Sequence, residues 1–202
     1  MTNAITRESP IMGAPSCTQA AVLKYLLRPK GNYTEIDLEN VIIPAYFEHG
    51  MKMGVNPVIA IAQVIHETGF LTSWWSNRPR RNPAGIGVTG QVAEVLPPGA
   101  NVYDWAYDES IKKWRKGLSF ESWLFNSVPA HIGRLLGYTL KPKDMTDAQW
   151  HYFSLHTARR NVPARVLGCA PTLAGLEGTW AVPGKGYADK LAAHCNRMIE
   201  GK

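Results

Sequence analysis

The feature that most constrains the fold of this chain is an almost unbroken apolar run over residues 58–65, in which Gln63 is the only polar residue. Asn56 and Pro57 precede the run and form a helix start, because asparagine caps free backbone N–H groups and proline fits the first helical position. Gly69 marks the end of the helix. A helix that is apolar on all sides lies in the middle of a core, and this one has about half the length needed to cross a bilayer. The pattern therefore predicts a domain built around one central buried helix.

Helical patterns also flank the central helix on both sides. Ser16, with Gln19 three residues later, matches a capping box that opens a short helix. Another helical stretch follows Thr34, and Pro44 is expected to kink or split it. Further helices are predicted over 120–128 behind Ser119 as cap, 130–140, 146–159 and 187–199, with a shorter one near 172–176.

Helical periodicity vanishes between residue 82 and about residue 118. Glycines and prolines there separate short apolar runs such as 86–88 and 102–103. We expect a small lobe of loops with two or three short strands. The predicted organisation is an irregular arm over residues 1–15 and one mainly α (α+β) domain over residues 16–202, with the small lobe, about 82–118, inserted after the central helix.

The charge of the chain favours an anionic partner but selects none. The net charge is +6 and the pI is about 9.3, which suits nucleic acid, an anionic membrane or an acidic cell wall. The basic residues form small scattered groups, and no nucleic-acid-binding motif accompanies them. We therefore expect no nucleic-acid partner.

Seven tryptophans and eight tyrosines either fill the core or line a groove for a flat ligand such as a sugar.

Cysteine and histidine usage argues against a metal site. Cys17, Cys169 and Cys195 are too few and too scattered for a disulfide scaffold, although Cys169 and Cys195 form the nearer pair if one bond exists. The six histidines have no ligand-like spacing. We expect no metal and no cofactor. No signal peptide or membrane span is visible, so a protein whose target lies outside the cytoplasm would be made there and delivered by another route, such as phage lysis or a secretion apparatus.

Glu67 is the residue best placed to carry chemistry. It ends the apolar helix, where scarce water disfavours a carboxylate and raises its pKa. The negative end of the helix dipole acts in the same direction. A glutamate that stays protonated near neutral pH can serve as the general acid of a glycosidase. Spacing alone equally allows a solvated carboxylate or one paired with Arg78, Arg80 or Arg81.

Three segments of the chain, found in order over roughly residues 35–200, resemble the glucosaminidase family of peptidoglycan hydrolases, which belongs to the lysozyme-like superfamily. The matching residues are Asn56-Pro57, Ala62-Gln63, Glu67-Thr68-Gly69, Ser73, Asn82-Pro83-Ala84-Gly85-Ile86-Gly87, Trp180-Ala181 and Tyr187-Ala188-Asp189-Lys190. The chain departs from the family pattern at two places. Phe70 and Leu71 stand where Trp-Gly is usual, and residues 182–186 replace an acidic Asp-Pro linker.

The resemblance implies roles for individual residues. Glu67 matches the catalytic acid of the family. A second carboxylate is expected from the lobe, where Asp104 and Asp108 are the candidates among acids that also include Glu94 and Glu109. Tyr187 and Trp180 would shape the sugar site, or would simply pack the last helix against the domain. Asn82 would contribute to substrate binding where the lobe begins to wall the cleft, or would simply make a turn before a strand.

The resulting hypothesis is a glycoside hydrolase of the endo-β-N-acetylglucosaminidase type. It would cut β-1,4 bonds in the N-acetylglucosamine–N-acetylmuramic acid strands of peptidoglycan, in the periplasm or outside the cell, and act as a monomer. A muramidase or a lytic transglycosylase acting on the same polymer is the alternative within this chemistry. A non-catalytic module that binds wall glycan is the alternative of another class.

Overall fold

This computed structural model describes residues 4–27 and 32–201 of the chain. They contain seven α-helices and one small antiparallel sheet, joined by loops and short 3₁₀ and π-helical segments. The helices are α1 (Gln19–Leu26), α2 (Glu35–Asp37), α3 (Ile43–Met53), α4 (Pro57–Thr68), α5 (Val128–Thr139), α6 (Asp147–Thr157) and α7 (Tyr187–Ile199). The strands are β1 (Val92–Ala93), β2 (Trp105–Asp108) and β3 (Lys113–Lys116). The predicted mainly helical α+β class, with a small lobe inserted after a central helix, is confirmed.

Helix α4 is the central buried helix that the apolar run predicts. The Asn56 side chain accepts a hydrogen bond from the Val58 N–H at 3.0 Å, and Gly69 ends the helix in the left-handed conformation at φ 57°. Ten of the twelve residues of α4 are buried, and His66 and Glu67 are the two that are not. Helices α3, α5 and α7 pack around it, so the last turn of α4 is where the core meets the surface.

The predicted capping residues of two helices are wrong. Thr18 rather than Ser16 caps α1, because Thr18 has the extended backbone that a cap requires and accepts a hydrogen bond from the Ala21 N–H. The Ser16 hydroxyl instead accepts from the Asn56 side chain at 2.7 Å. Ser122 rather than Ser119 caps the helix that leads into α5, again from extended backbone.

Around Pro44 the helix changes type but does not break, so the expected split is absent. Thr34 and Asp37 form a capping box at the start of α2, which runs directly into a π-helical segment over Leu38–Ile42 and then into α3. Pro44 lies in the first turn of α3, directly after the π-helical segment, and has no N–H to donate to the preceding turn. The π segment therefore accommodates the proline without ending the helix.

The lobe contains the three strands in the order β1-β3-β2. Trp105 pairs with Lys116 and Asp108 with Lys113, so β2 and β3 form a hairpin. The base of the lobe is joined to the helical part through a small apolar cluster made of Ala84, Ile86, Leu118, Phe120 and Ala130, against which Trp180 packs. The lobe and the helices therefore meet near Trp180.

The N-terminal segment from residue 4 to residue 15 is irregular but packs on the helical core. Ile11 is fully buried. Its N–H donates to the Pro171 carbonyl and its carbonyl accepts from the Asn56 N–H. These contacts tie the segment to the start of α4, so residues 4–15 contribute to the core on which α4 rests.

Three findings on residues 4–27 and 32–201 bear on disulfides, metals and membranes. Cys17, Cys169 and Cys195 are free thiols, so no bond joins Cys169 to Cys195 in the structure. No group of three or more potential ligand side chains is arranged to hold a metal within residues 4–27 and 32–201. None of the described helices is both long enough and apolar enough to cross a bilayer.

Candidate functional site

The carboxylate of Glu67 is bound by the two aromatic residues that the resemblance points to. Glu67 Oε1 accepts a hydrogen bond from Trp180 Nε1 at 3.0 Å and another from the Tyr187 hydroxyl at 2.5 Å. Trp180 and Tyr187 lie 113 and 120 positions further along the chain. The fold therefore brings three predicted site residues together from two distant segments.

A tight loop between Trp180 and Tyr187 places both side chains against Glu67. At Gly184, with φ 70°, a Cβ atom would lie 2.1 Å from the Ala181 carbonyl oxygen, a distance at which no side chain fits. Gly184 thus permits the chain to fold back on itself, and α7 begins at Tyr187 three residues later. This loop is the segment in which the chain departs from the acidic linker of the glucosaminidase family.

The indole of Trp180 is held between the helical core and the lobe. Its ring centroid lies 5.1 Å from that of Tyr138 and 5.8 Å from that of His131. Its other neighbours belong to the small apolar cluster at the base of the lobe. Contacts on both sides leave the indole little freedom, so its N–H stays directed at Glu67.

Three consecutive residues after α4 have left-handed backbone. Gly69, Phe70 and Leu71 have φ values of 57°, 61° and 64°. A non-glycine residue in this conformation costs about 1–3 kcal/mol, and such strain concentrates at functional sites. Leu71 stands where the glucosaminidase family has glycine, and here its N–H donates to the Thr68 hydroxyl at 2.8 Å while its side chain is buried. Packing of Leu71 therefore stabilises a turn that glycine would adopt freely.

A chain of buried hydrogen bonds extends from the Glu67 carboxylate into the core. The Gln63 amide Nε2 donates to the Tyr187 hydroxyl at 2.9 Å. Gln63 Oε1 lies 2.8 Å from His131 Nε2, and His131 Nδ1 lies 3.0 Å from the Tyr46 hydroxyl. All four residues of this chain, Tyr46, His131, Gln63 and Tyr187, are buried.

The direction of every bond in this chain follows from the chemistry of its members. Burial lowers the pKa of His131 from 6.5 to about 3, so its ring is neutral at ordinary pH. Gln63 Oε1 is an acceptor, which requires a proton on His131 Nε2, and Tyr46 then donates to His131 Nδ1. The chain starts at the Tyr46 hydroxyl, each later group accepts one hydrogen bond and donates the next, and the last bond reaches Glu67 Oε1. The network orients the Tyr187 hydroxyl, and through it the carboxyl group.

We predict that His131 makes the protein less stable in acid. Burial also lowers the pKa of His194 to about 4. Below pH 6.5 the unfolded chain binds protons that the folded chain does not, so the free energy of unfolding falls as the pH drops towards 3. His131, which is fully buried, contributes a slope of about 1.4 kcal/mol per pH unit in this range, and the more exposed His194 contributes less.

The variant His131→Gln tests this prediction, because glutamine can accept from Tyr46 and donate to Gln63 but does not titrate. Urea unfolding at pH 7, 5.5 and 4.5 should show a shallower loss of stability in the variant than in the parent. His151→Gln, at an exposed position, is the matched control and should keep the parental slope. An unchanged slope in His131→Gln would contradict the prediction.

A cavity of about 490 Å³ opens beside Glu67. Its walls are formed by His66, Glu67, Ala84, Gly85, Trp180, Ala181, Val182, Gly184, Lys185, Tyr187 and Lys190. Glu67 is the one carboxylate among these lining residues, and two lysines face it. The site therefore pairs a single oriented acid with a polar, positively charged cavity.

The two lobe carboxylates expected to assist Glu67 are not brought to this cavity. Asp108 is 2% exposed, and its carboxylate lies 2.6 Å from the Arg115 guanidinium. Hydrogen bonds from Ser110, with the charge of Arg115, lower the pKa of Asp108. Asp104 lies in a 3₁₀ turn before β2, and its carbonyl accepts from the Gly117 N–H. Neither residue lines the Glu67 cavity.

Asn82 has a structural position rather than the substrate-binding one expected of it. It is fully buried, and its amide nitrogen donates to the carbonyls of Ile86 and Leu118 at 2.8 and 2.9 Å. Its side-chain oxygen accepts from the N–H groups of Ala84 and Ile86. Because these bonds occupy both ends of the amide, Asn82 shapes the wall at residues 84–86 without contacting a ligand.

The three residues behind Tyr187 differ in how far the sequence points to them. Gln63 was visible as the single polar residue in the apolar run, and a buried amide needs partners. His131 and Tyr46 had no comparable signal, because a histidine or tyrosine within a helical pattern is common in any core. Their role depends on which helices pack together, and that follows only from the fold.

Comparison with known proteins yields distant likenesses. No protein-family model matches the chain, and no curated protein matches it in sequence. The catalytic domain of the autolysin Auto from Listeria monocytogenes aligns at 16% identity over 80% of this chain and 83% of that one, with a TM-score of 0.45. S. aureus autolysin E, in complex with the muropeptide NAM-L-Ala-D-iGlu, aligns at 14% identity over 99% of this chain and 74% of that one, also with a TM-score of 0.45.

Proposed function

We propose that this protein is a peptidoglycan hydrolase that cuts β-1,4 glycosidic bonds with Glu67 as general acid. The observation that carries the proposal is the Glu67 carboxyl group, which two aromatic donors hold at the wall of an open cavity. The resemblance of the segments around Glu67 and Tyr187 to glucosaminidases supports the same assignment. Within that chemistry we assign the endo-β-N-acetylglucosaminidase type.

The hydrogen bonds to Glu67 also indicate which oxygen delivers the proton. Trp180 and Tyr187 both donate to Oε1, and no hydrogen bond from the described residues reaches Oε2. A proton on the carboxyl group therefore resides on Oε2, because Oε1 is occupied as an acceptor. Transfer from Oε2 to the departing glycosidic oxygen leaves a carboxylate that the Trp180 and Tyr187 donors stabilise.

The single carboxylate in the cavity favours help from the substrate itself. Retaining and inverting glycosidases with two carboxyl groups hold them about 5–5.5 Å or about 6.5–9.5 Å apart, respectively. Asp104 and Asp108 do not line the Glu67 cavity. Neither of them therefore supplies a second carboxyl group in the cavity at one of these separations from Glu67. The acetamido group of N-acetylglucosamine can instead support the oxocarbenium-like transition state, as it does in substrate-assisted glycosidases. We assign that role to the substrate.

Analysis of the products from purified peptidoglycan tests this proposal. We expect loss of turbidity and soluble fragments whose new reducing ends are N-acetylglucosamine, identified by mass after borohydride reduction. New N-acetylmuramic acid ends would instead indicate a muramidase, and fragments without a new reducing end a lytic transglycosylase. Binding to the wall without any cleavage would contradict the proposal and favour a glycan-binding module.

A further inference from the structure

A second cavity, of about 230 Å³, lies between α5, α6 and the base of the lobe. We call it the arginine cavity. Its lining residues are Ile86, Leu118, Phe120, Phe125, Asn126, Ala130, Arg134, Leu155, His156, Thr157, Arg159 and Arg160. Apolar side chains of the lobe cluster form one part of the wall, and three guanidinium groups form another.

The three arginines of this cavity have no acidic counterpart. None of the twelve lining residues is an aspartate or glutamate. Within residues 4–27 and 32–201, no ion pair involves Arg134, Arg159 or Arg160. Like charges that converge without a counter-ion repel one another, so an anion bound among them would be stabilised.

The contacts that the arginines do make orient them without neutralising them. Arg134 donates to the Arg160 carbonyl at 2.8 Å, and its guanidinium lies 5.7 Å from the centre of the Trp180 ring. The guanidinium of Arg159 lies 4.6 Å from the centre of the Tyr103 ring. Arg159 also donates to the Ser119 carbonyl at 3.4 Å. None of these contacts is to an acidic group, and the guanidinium fork matches a carboxylate in a bidentate manner.

The arginine cavity adjoins the Glu67 cavity. Trp180 donates to Glu67 on one side and has the Arg134 guanidinium close to its ring on the other. In the chain, Ala84 and Gly85 line the Glu67 cavity and the next residue, Ile86, lines the arginine cavity. One indole and one short segment therefore separate the two, and a glycan strand lying against Glu67 would place its substituents near the arginines.

We propose that the arginine cavity binds a carboxylate carried by the glycan strand. The inference rests on the proposed function. It adds that a carboxylate on the glycan is the chemical group by which the enzyme would select its substrate. Peptidoglycan offers a carboxylate from two sources. One is the lactyl group of N-acetylmuramic acid where no peptide is attached, and the other is the peptide stem, which is amide-linked to the lactyl group where it is present. Uncharged polymers of N-acetylglucosamine have neither. Phe125 and Leu155, exposed at 72% and 59%, provide apolar surface at the cavity for the aliphatic part of either substituent.

Binding to the inactivated protein tests the inference separately from catalysis. In a Glu67→Gln background, calorimetry would compare N-acetylmuramic acid, N-acetylmuramyl dipeptide and an uncharged N-acetylglucosamine oligomer as ligands. We expect the double change Arg159→Gln with Arg160→Gln to weaken binding of a carboxylate-bearing ligand about tenfold to a hundredfold, as expected for loss of charged hydrogen bonds, and to leave the oligomer unaffected. Arg165→Gln, exposed and outside the cavity, is the matched control.

The outcomes separate the two proposals. Weakening for N-acetylmuramic acid, whose lactyl carboxylate is free, assigns that group. Weakening for the dipeptide, whose lactyl group is amide-linked to the peptide, assigns a carboxylate of the peptide stem, and weakening for both shows that the cavity accepts either one. Equal weakening for all three ligands, no weakening, or no binding of either acidic ligand to the protein with intact arginines would overturn the arginine cavity as a carboxylate site. A different result would separate the proposals. If the acidic ligands bound in an arginine-dependent way but the parent protein released no fragments from the wall, the carboxylate site would be supported and the proposed hydrolase function contradicted.

Discussion

Glu67→Gln should reduce the lysis of purified peptidoglycan about 10²–10⁴-fold, the contribution typical of a general acid. The amide cannot release a proton to the departing glycosidic oxygen. Its oxygen can still accept from Trp180 and Tyr187, so the geometry of the site is preserved. The measurement is the initial rate of turbidity loss, with the released reducing ends counted in the same samples.

The matched control for this prediction is Glu109→Gln, which makes the same chemical change at an exposed lobe position. It should lyse the wall at the parental rate. Circular dichroism and thermal unfolding of both variants should overlay the parent, since Glu67 is only half-buried and forms no ion pair with a described residue. Parental activity in Glu67→Gln would end the assignment of Glu67 as the acid.

Ile59→Ala should lower the free energy of unfolding by about 2–5 kcal/mol, the range for removing most of a large aliphatic side chain from a packed core. Ile59 is 1% exposed in the first turn of α4, and α3, α5 and α7 surround that helix. Neighbours on all sides limit how far the structure can collapse into the space left behind, which favours the upper part of the range.

Ile36→Ala provides the matched comparison, because it removes the same atoms from a side chain that is 69% exposed. Its effect should stay within about 0.5 kcal/mol. Urea unfolding monitored by tryptophan fluorescence measures both variants, with equal m-values required for the comparison. If the two variants were equally stable, α4 could not be the centre of the core.

Much of the helical architecture could be predicted from local patterns. The predicted helix over 187–199 coincides with α7, and the predicted start of α4 at Asn56-Pro57 is confirmed. The two wrong caps show where such patterns fail. Ser16 and Thr18 both lie close to the start of α1, and only the backbone conformation, which is extended at Thr18, decides which side chain reaches a free N–H.

The candidate site was predicted in part. Glu67, Trp180 and Tyr187 were singled out from motifs in separate segments, and the structure brings them together. Asp104 and Asp108 were chosen because they lie in the lobe, but sequence position does not specify the direction of a side chain. Asp108 points to Arg115 across the β2–β3 hairpin, which the register of two adjacent strands decides.

By itself, the sequence determined that a largely apolar helix lies at the centre of the core and that Glu67 lies at its end, because periodicity and capping act within a few residues. Only the tertiary structure decided what surrounds that glutamate. The bonds from Tyr46 through His131, Gln63 and Tyr187 to Glu67 join α3, α5, α4 and α7. Contacts between residues 68 to 124 positions apart depend on how whole helices pack, and no local pattern contains that information.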